Sequence, residues 1–440
     1  MVTFIVAVFI IGYLCIAMES VIKVNKAAPA LLMCVICWTL YMFGASEFMP
    51  AGATSVGDFV HSQLIEHMGD TCEILFFLMG AMTIVEIVDA NGGFNFVRDS
   101  LQTTSKRKLL WRITFMTFFL SAILDNLTTS IVMIMVLRKL VHDKKDRMIY
   151  ASLIILAANS GGAFSPIGDV TTIMLWIKGM ITTGGVLSEI FVPSLVSVAI
   201  PAFILQYYLK GELKKPEIAQ EGDALHFSKA ERGIVFFLGV GGLMFVPIFR
   251  YLTDLPPYMG ILLVLGLLWT TTELFYRHKR LESSMENRVE KILTRIDMGT
   301  ILFFLGILMA VATLQETGVL TAFGETLDEA SNGNHYLVTG IIGAVSSIVD
   351  NVPLVAGCMG MYNIDPNVAD FAVDGLFWQL LAYCAGVGGS MLIIGSAAGV
   401  VVMGLEKITF GWYLKNFTWI AAIGYVSGIL CYWVQKAIGF

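Results

Sequence analysis

Long apolar stretches separated by short polar segments recur along the whole chain. A helix needs about 17–25 predominantly apolar residues to cross a bilayer. Ten segments of this kind are predicted to be spanning helices: about 2–20, 27–45, 72–91, 150–176, 185–208, 233–250, 257–276, 298–317, 377–404 and 417–436. The pattern therefore predicts an all-α polytopic membrane protein.

Three motifs of the first half return in the second half. The sequence Ile-Leu-Phe-Phe-Leu starts at Ile74 and again at Ile301, with an offset of 227 residues. The dipeptide Asp-Asn occurs at 125–126 and at 350–351, with an offset of 225, and Gly-Gly occurs at 161–162 and 388–389, with an offset of 227. Half of the chain is therefore predicted to be a structural repeat.

Two further apolar stretches, about 109–140 and 335–362, contain the Asp-Asn pairs. Basic residues flank the first stretch at both ends, and acidic residues flank the second at both ends. A simple spanning helix should separate a basic end from a non-basic one. Both stretches are therefore predicted to be re-entrant hairpins, the first entering from the cytoplasm and the second from outside.

This topology can be tested against every basic residue. It places 25 of the 28 Lys and Arg residues in cytoplasmic loops or at their margins, because only Lys178, Arg250 and Lys436 fall on the outer side. Both termini are then predicted to lie outside, and the second repeat runs upside down relative to the first. Inverted repeats with discontinuous helices are a recurrent plan of secondary transporters.

Four regions follow from this topology. Residues 1–70 form N-terminal scaffold helices, and 71–208 form the first repeat, with the hairpin 109–140 and a broken helix at 150–176. Residues 209–297 hold a cytoplasmic linker, two scaffold helices and an amphipathic helix over 282–297. Residues 298–440 form the second repeat, with the hairpin 335–362 and a broken helix at 377–404.

Composition narrows the class of protein. With 57% hydrophobic and 14% charged residues and a mean hydropathy of +0.77, the chain is not a soluble domain. No soluble segment contains a nucleotide-binding loop, a cluster of metal ligands or a hydrolase triad, so we expect neither an enzyme nor a cofactor. The seven cysteines lie mostly in apolar segments and are expected to be buried thiols. Nothing indicates a nucleic-acid partner; the expected surroundings are the lipid bilayer.

The tips of the two hairpins carry the first candidate site residues. Carboxylates at membrane depth are costly and usually serve a function. The first tip offers Asp125, Asn126, Thr128 and Thr129, and the second offers Asp350 and Asn351. These residues could simply cap short helices, but an uncharged Ser would do so at a lower desolvation cost. We therefore expect the aspartates to bind ions.

The Gly-Gly segments are predicted to break the helices that follow the hairpins. The first break supplies Asn159, Asp169, Thr171 and Thr172, whose oxygens suit a hard cation such as Na⁺. By the 227-residue offset, Asn159 corresponds to Gly386 and Asp169 to Ser396. The second break is thus less polar, and a Na⁺ site is expected at Asp125, Asn159 and Asp169. Secondary candidates are Glu86, Ser165, Ser390 and Ser396.

No basic residue lies near these breaks in the sequence, which favours a cation over an anion as the substrate. Two carboxylates close together in a low-dielectric cavity repel each other, so one of them should hold either H⁺ or a cation. Competition between H⁺ and Na⁺ for one carboxylate is sufficient for exchange.

Three segments resemble the NhaD family of bacterial Na⁺/H⁺ antiporters, within the ion transporter superfamily. They are Ser-Ala-Ile-Leu-Asp-Asn-Leu-Thr-Thr (121–129), Asn-Ser-Gly-Gly-Ala-Phe-Ser-Pro-Ile-Gly-Asp-Val-Thr-Thr (159–172) and Gly-Gly-Ser-Met-Leu-Ile-Ile-Gly-Ser-Ala-Ala-Gly (388–399). The resemblance implies a homodimer in which a transport domain, built from the hairpins and the spans after them, moves as an elevator against a scaffold. The family's important polar positions match Asp125, Asn159, Asp169, Thr171, Thr172, Asp350 and Asn351.

The expected function is exchange of Na⁺ or Li⁺ for H⁺ across the bacterial inner membrane. The alternative is a Na⁺-coupled carboxylate or oxyanion transporter on the same fold. The Asp-Asn hairpin tips argue against a dicarboxylate, because the carboxylate-transporting relatives carry Ser-Asn-Thr there. A membrane subunit or sensor that does not transport is a further alternative, but such a protein has no need for three buried aspartates.

Overall fold

The computed structural model describes residues 1–49, 55–94, 97, 100–213, 227–279 and 288–439. Within them the regular structure is helical. The N-terminal half has helices Val2–Ala17, Glu19–Ile22, Ala27–Gly44, Val56–Ala90, Lys106–Leu124, Asn126–Leu140, Lys144–Ala163, Val170–Ile177 and Thr183–Leu205. The C-terminal half has helices Lys229–Thr253, Pro257–His278, Val289–Ile292, Met298–Glu316, Val319–Ser331, His335–Val345, Asn351–Met361, Leu376–Gly388, Ala397–Glu406, Phe410–Asn416 and Thr418–Ala437.

Seven of the ten expected spans are single helices long and apolar enough to cross a membrane in the described part of the chain. The remaining three are the shorter first helix, Val2–Ala17, and the two broken helices. The first is interrupted between Ala163 and Val170 and the second between Gly388 and Ala397. We call them broken span 1 (Lys144–Ala163 with Val170–Ile177) and broken span 2 (Leu376–Gly388 with Ala397–Glu406).

Both expected hairpins are present. Hairpin 1 consists of Lys106–Leu124 and Asn126–Leu140, and its base is closed by an ion pair of 2.5 Å between Lys106 Nζ and Asp146 Oδ2. Hairpin 2 consists of His335–Val345 and Asn351–Met361, and His335 Nδ1 lies 2.6 Å from Asp370 Oδ2 at its base. Each hairpin therefore starts and ends at the same end of the molecule.

The repeat is visible in equivalent contacts between each hairpin and its broken span. Ser121 donates a hydrogen bond of 2.6 Å to the carbonyl of Ala158, and Ser346 donates one of 2.9 Å to that of Ala385. Gly161 and Gly388 supply the close approach. A Cβ atom at either position would lie 2.1 Å from a backbone oxygen of the first hairpin helix, that of Phe118 or Gly343.

The helices pack in two groups. The hairpins and broken spans pack together with helices Thr183–Leu205 and Thr418–Ala437. The second group contains Val2–Ala17, Ala27–Gly44, Val56–Ala90, Lys229–Thr253, Pro257–His278 and Met298–Glu316. Helix Asn351–Met361 of hairpin 2 packs against Met298–Glu316, so hairpin 2 touches both groups.

Ion pairs outside the hairpin tips form two sets that follow the expected loop topology. One set joins loops expected on the cytoplasmic side: Lys106–Asp146, Arg138–Glu406, Arg147–Glu406, Lys279–Glu231, Arg288–Glu273 and Arg295–Glu86. The other joins loops expected outside: His67–Glu316, Lys178–Asp70, His335–Asp370 and Lys436–Glu189. Among the described residues, none of these pairs connects a loop of one set with a loop of the other.

Two expected boundaries look different in the structure. The span expected from about residue 72 begins at Val56, so the boundary drawn at 70/71 falls inside a continuous helix. Ser55 caps this helix, because its hydroxyl accepts a hydrogen bond from the Asp58 amide. The amphipathic helix expected over 282–297 is described only from residue 288, where Val289 and Ile292 are buried; 280–287 and 214–226 of the expected linker lie outside the described residues.

Candidate functional site

Each of the three candidate aspartates is the N-cap of a short helix. Asp125 holds its helix most firmly, because Oδ1 accepts from the Thr128 amide and Oδ2 from the Thr128 hydroxyl, both at 2.8 Å. Its φ of 87° lies in the left-handed region, which costs about 1–3 kcal/mol for a residue other than glycine. Asp169 and Asp350 accept from the amides of Thr171 at 3.4 Å and Val352 at 3.3 Å.

Asn159 of broken span 1 connects three elements and is fully buried. Its Oδ1 accepts a hydrogen bond of 3.1 Å from Asn126 at the tip of hairpin 1. Its Nδ2 donates to the hydroxyls of Ser390 at 2.9 Å and Ser396 at 3.0 Å in the break of broken span 2. The structure thus brings two secondary candidates, Ser390 and Ser396, into the site.

Asp169 lies at the break of broken span 1 and is 2% exposed. Its Oδ2 accepts a 3.4 Å hydrogen bond from Asn351 at the tip of hairpin 2. Together with the 3.4 Å bond from the Thr171 amide, both of its side-chain hydrogen bonds are long for this type of contact. No ion pair joins Asp169 to a basic residue within the described part of the chain. Asp169 is therefore a buried acid without a counter-ion among the residues that the structure describes.

Some of the expected oxygen donors, at the tip of hairpin 1 and at the break of broken span 1, have hydroxyl groups that make no hydrogen bond within the described residues. The hydroxyls of Thr129 and Thr172 are buried without a hydrogen-bond partner among the described residues. The neighbouring Ser130 hydroxyl, which the sequence reasoning did not select, is in the same condition. Buried polar groups usually make a hydrogen bond. Buried hydroxyls that lack one, at the tip of hairpin 1 and beside the break, therefore indicate a place for an ion or water.

Lys26 corrects the expectation that no basic residue lies near the breaks. Its Nζ is 2.7 Å from Asp350 Oδ2 at the tip of hairpin 2 and 4.2 Å from the centre of the Phe303 ring. Lys26 precedes helix Ala27–Gly44 and is 324 positions away from Asp350. No local pattern could have predicted this pair. It neutralises Asp350, which therefore differs from its repeat-equivalent Asp125.

A cavity of about 360 Å³ opens beside this ion pair. Its polar lining includes Glu19, Lys26, Asp297, Asp350 and Ser396. Leu127 of hairpin 1 also lines it, so the cavity reaches the region between the two hairpin tips. Because Ser396 bonds to Asn159, this cavity connects the site with one end of the molecule.

Two secondary candidates are not part of this arrangement. Glu86 pairs with Arg295 at 3.3 Å, which explains it as a charge at the end of a span. Ser165 donates its hydroxyl hydrogen bond to the carbonyl of Ala122 and so ties broken span 1 to hairpin 1. Both residues are accounted for by structural contacts.

Comparisons with known proteins show the family to which the chain belongs. A family model described as a citrate transporter matches residues 13–380. Sodium/proton antiporter 1 of Arabidopsis thaliana is 46% identical over 96% of this chain and 71% of that protein. The Na⁺/H⁺ antiporter NhaD of Vibrio cholerae is 30% identical over 96% of this chain and 89% of that protein. The chain belongs to the NhaD-type antiporter family.

A further relative supports the same family, and a solved structure shares the fold. Sodium/proton antiporter 2 of Arabidopsis thaliana is 42% identical over 96% of this chain and 97% of that protein. The YdaH transporter of Alcanivorax borkumensis shares the fold, with a TM-score of 0.61 at 9% identity over 93% of this chain and 99% of that one. The family is one of multi-pass membrane transporters, which confirms the expectation that this NhaD-type chain is not an enzyme.

Proposed function

We propose that this protein is a secondary active transporter that exchanges Na⁺ or Li⁺ for H⁺ at Asp169. The observation that carries the proposal is a carboxylate that is 2% exposed, has two long hydrogen bonds and lacks a basic partner among the described residues. An isolated buried carboxylate is costly unless it is protonated or paired with a cation. Asp169 can satisfy this requirement with either transported ion, but not with both at once.

The surrounding residues position and solvate the ion. Asn159 is held by Ser390, Ser396 and Asn126, so its amide oxygen has a fixed orientation. Asp125, Asn159 and Asp169 remain the proposed Na⁺ ligands. Further oxygens are available from Thr128, Thr129, Thr171, Thr172 and Asn351. Since Lys26 already neutralises Asp350, we assign Asp350 to ordering hairpin 2 and not to the exchange.

Alternating access would follow from a movement of one helix group against the other. Hairpins, broken spans and the two helices packed on them form one group, which suits a transport domain moving as an elevator. A homodimer held by the scaffold group is part of the same proposal, as are the bacterial inner membrane and external termini. The exchange needs no cofactor, because it requires only that the transported ions bind in turn to the carboxylate of Asp169.

A flux measurement tests this function. The purified protein is reconstituted in liposomes with an acidic interior and a pH-sensitive dye, and Na⁺ or Li⁺ is added outside. We expect the pH gradient to dissipate with the wild type and to persist with Asp169→Asn. Absence of Na⁺- and Li⁺-dependent proton movement by the wild type between about pH 6 and 10, a range that spans both sides of neutrality, would overturn the proposal.

Citrate is the second candidate, because the matching family model is described as a citrate transporter. The hairpin tips carry the carboxylates of Asp125 and Asp350, which repel an anion, and the basic residue beside them, Lys26, is already paired with Asp350. We therefore expect no uptake of labelled citrate in the same liposomes. Uptake that depends on a Na⁺ gradient would favour this second function over exchange.

A further inference from the structure

Gly386 is the repeat-equivalent of Asn159, and it occupies a corresponding place in the site. Asn159 of broken span 1 contacts Ser396 in the break of broken span 2. Gly386 of broken span 2 lies in turn beside Asp169 in the break of broken span 1. The two contacts are related by the internal repeat, since 159 corresponds to 386 and 169 to 396. Where one copy has an amide that fills the space, the other has no side chain.

Gly386 leaves less room than a methyl group needs between broken span 2 and Asp169. A Cβ atom added there would lie 3.3 Å from Asp169 Oδ2 and 3.1 Å from the Cβ atom of Ala163. The distance to Ala163 is shorter than a relaxed contact between carbon atoms, which lies at about 3.5–4.0 Å, and the contact with Asp169 Oδ2 is also tight. A bare hard cation, in contrast, approaches a carboxylate oxygen to about 2.0–2.6 Å. A methyl group at position 386 would therefore crowd the side of Asp169 Oδ2 that faces broken span 2, which the glycine leaves open to a cation.

Two further observations indicate that the space faces an ion and is not simply tight packing. A carboxylate oxygen, Oδ2 of Asp169, borders it together with the methyl carbon of Ala163, and Asp169 lacks a basic partner among the described residues. The buried hydroxyl of Thr172, three residues further along, is also unpartnered within the described chain. At Gly161 and Gly388, in contrast, the three nearest atoms all belong to the backbone, and no carboxylate is among them.

We propose that Gly386 determines the size of the cation that the transporter accepts. This inference rests on the proposed exchange at Asp169 and adds that Gly386 and Ala163 form the wall opposite its Oδ2 atom. A methyl group at position 386 narrows the space and disfavours Na⁺ more than the smaller Li⁺. Removal of the Ala163 methyl group widens the same space and disfavours Li⁺ relative to Na⁺.

The test compares the apparent KM for Na⁺ and for Li⁺ in proteoliposomes. Gly386→Ala is expected to raise the ratio of the Na⁺ KM to the Li⁺ KM at least about tenfold, which corresponds to 1.4 kcal/mol of discrimination. Ala163→Gly is expected to move the ratio in the opposite direction. The matched control is Gly404→Ala in the second half of broken span 2, where an added Cβ meets nothing within 4 Å. Its ratio should equal that of the wild type.

The outcomes separate this inference from the function on which it rests. If the wild type exchanges both ions and the ratio stays constant in Gly386→Ala and Ala163→Gly, the role of Gly386 is wrong although the exchange function stands. If the wild type exchanges neither ion, the proposed function itself fails. Should Gly386→Ala not fold, Ala163→Gly decides alone, because an unchanged ratio there also overturns the inference.

Discussion

The side-chain nitrogen of Lys26 lies 2.7 Å from Oδ2 of Asp350, so the segment before helix Ala27–Gly44 reaches the tip of hairpin 2. The pair joins the helix group that contains Ala27–Gly44 to a hairpin of the other group. Asp125, the repeat-equivalent of Asp350, instead accepts hydrogen bonds from the amide and the hydroxyl of Thr128. The two hairpins therefore carry the same Asp-Asn dipeptide in different electrostatic surroundings.

Removal of the Lys26 charge should destabilise the protein. The two side chains are 22% and 17% exposed, so the cost lies between that of an exposed pair, about 0–1 kcal/mol, and that of a buried one, about 3–5 kcal/mol. We expect Lys26→Met to lower the midpoint of thermal unfolding. The double variant Lys26→Met with Asp350→Asn should recover most of the loss, because no unpaired carboxylate remains. A double variant as unstable as the single one would show that charge is not the cause.

Asn159→Ala should weaken Na⁺ binding. The substitution removes the hydrogen bonds that Asn159 makes with Asn126, Ser390 and Ser396. Each buried polar group left unpaired costs about 1–3 kcal/mol. We expect at least a tenfold rise in the Na⁺ concentration needed for half-maximal proton flux. Asn416→Ala is the control, because this exposed amide donates to the carbonyl of Trp412 within its own helix, away from the site. An unchanged Na⁺ dependence for Asn159→Ala would remove this residue from the site.

The two repeats predict equal effects at equivalent glycines. A Cβ atom at Gly161 or Gly388 would overlap a backbone oxygen of the neighbouring hairpin helix at 2.1 Å. Each Gly→Ala variant should therefore lose at least about 1–3 kcal/mol of stability and yield little folded protein. Size-exclusion profiles and unfolding midpoints measure this, with Gly404→Ala as the matched control. Normal folding of only one of the two variants would contradict the structural equivalence of the repeats.

The sidedness of the chain can be tested by cysteine labelling in a background without the native cysteines. His142→Cys lies at the end of hairpin 1, and Tyr251→Cys lies at the far end of helix Lys229–Thr253; both positions are exposed. The charge distribution predicts that a membrane-impermeant reagent added to intact cells labels Tyr251→Cys only. Labelling of His142→Cys from outside would reverse the orientation.

The hairpins and the repeat could be predicted because a membrane imposes strict rules on charge and length. A chain that carries basic residues at both ends of an apolar stretch must return to the same side, and hairpin 1 does so between Lys106 and Asp146. The breaks in the two broken spans could be predicted from their glycine content, because glycine favours interruption of a helix. The sequence thus predicted the features whose physical cause lies in the same short segment of the chain.

The features that could not be predicted are contacts between residues far apart in the sequence and the point at which a helix begins beyond its apolar stretch. Lys26 meets Asp350 across 324 positions, and no spacing rule relates them. The extension of the third span back to Val56 was missed because its polar residues suggested a loop, although Ser55 provides a helix cap. The accommodation of Asp169 by Gly386 also required the structure, since sequence shows only that the second break is less polar.

The central claim is that H⁺ and Na⁺ compete for the carboxylate of Asp169. The most direct measurement is proton release when Na⁺ is added to the purified protein in weakly buffered solution containing a pH indicator. We predict that the wild type releases protons in a saturable manner and that Asp169→Asn releases none, although it remains folded. Equal release by Asp169→Asn and the wild type, or no release by the wild type, would contradict the claim.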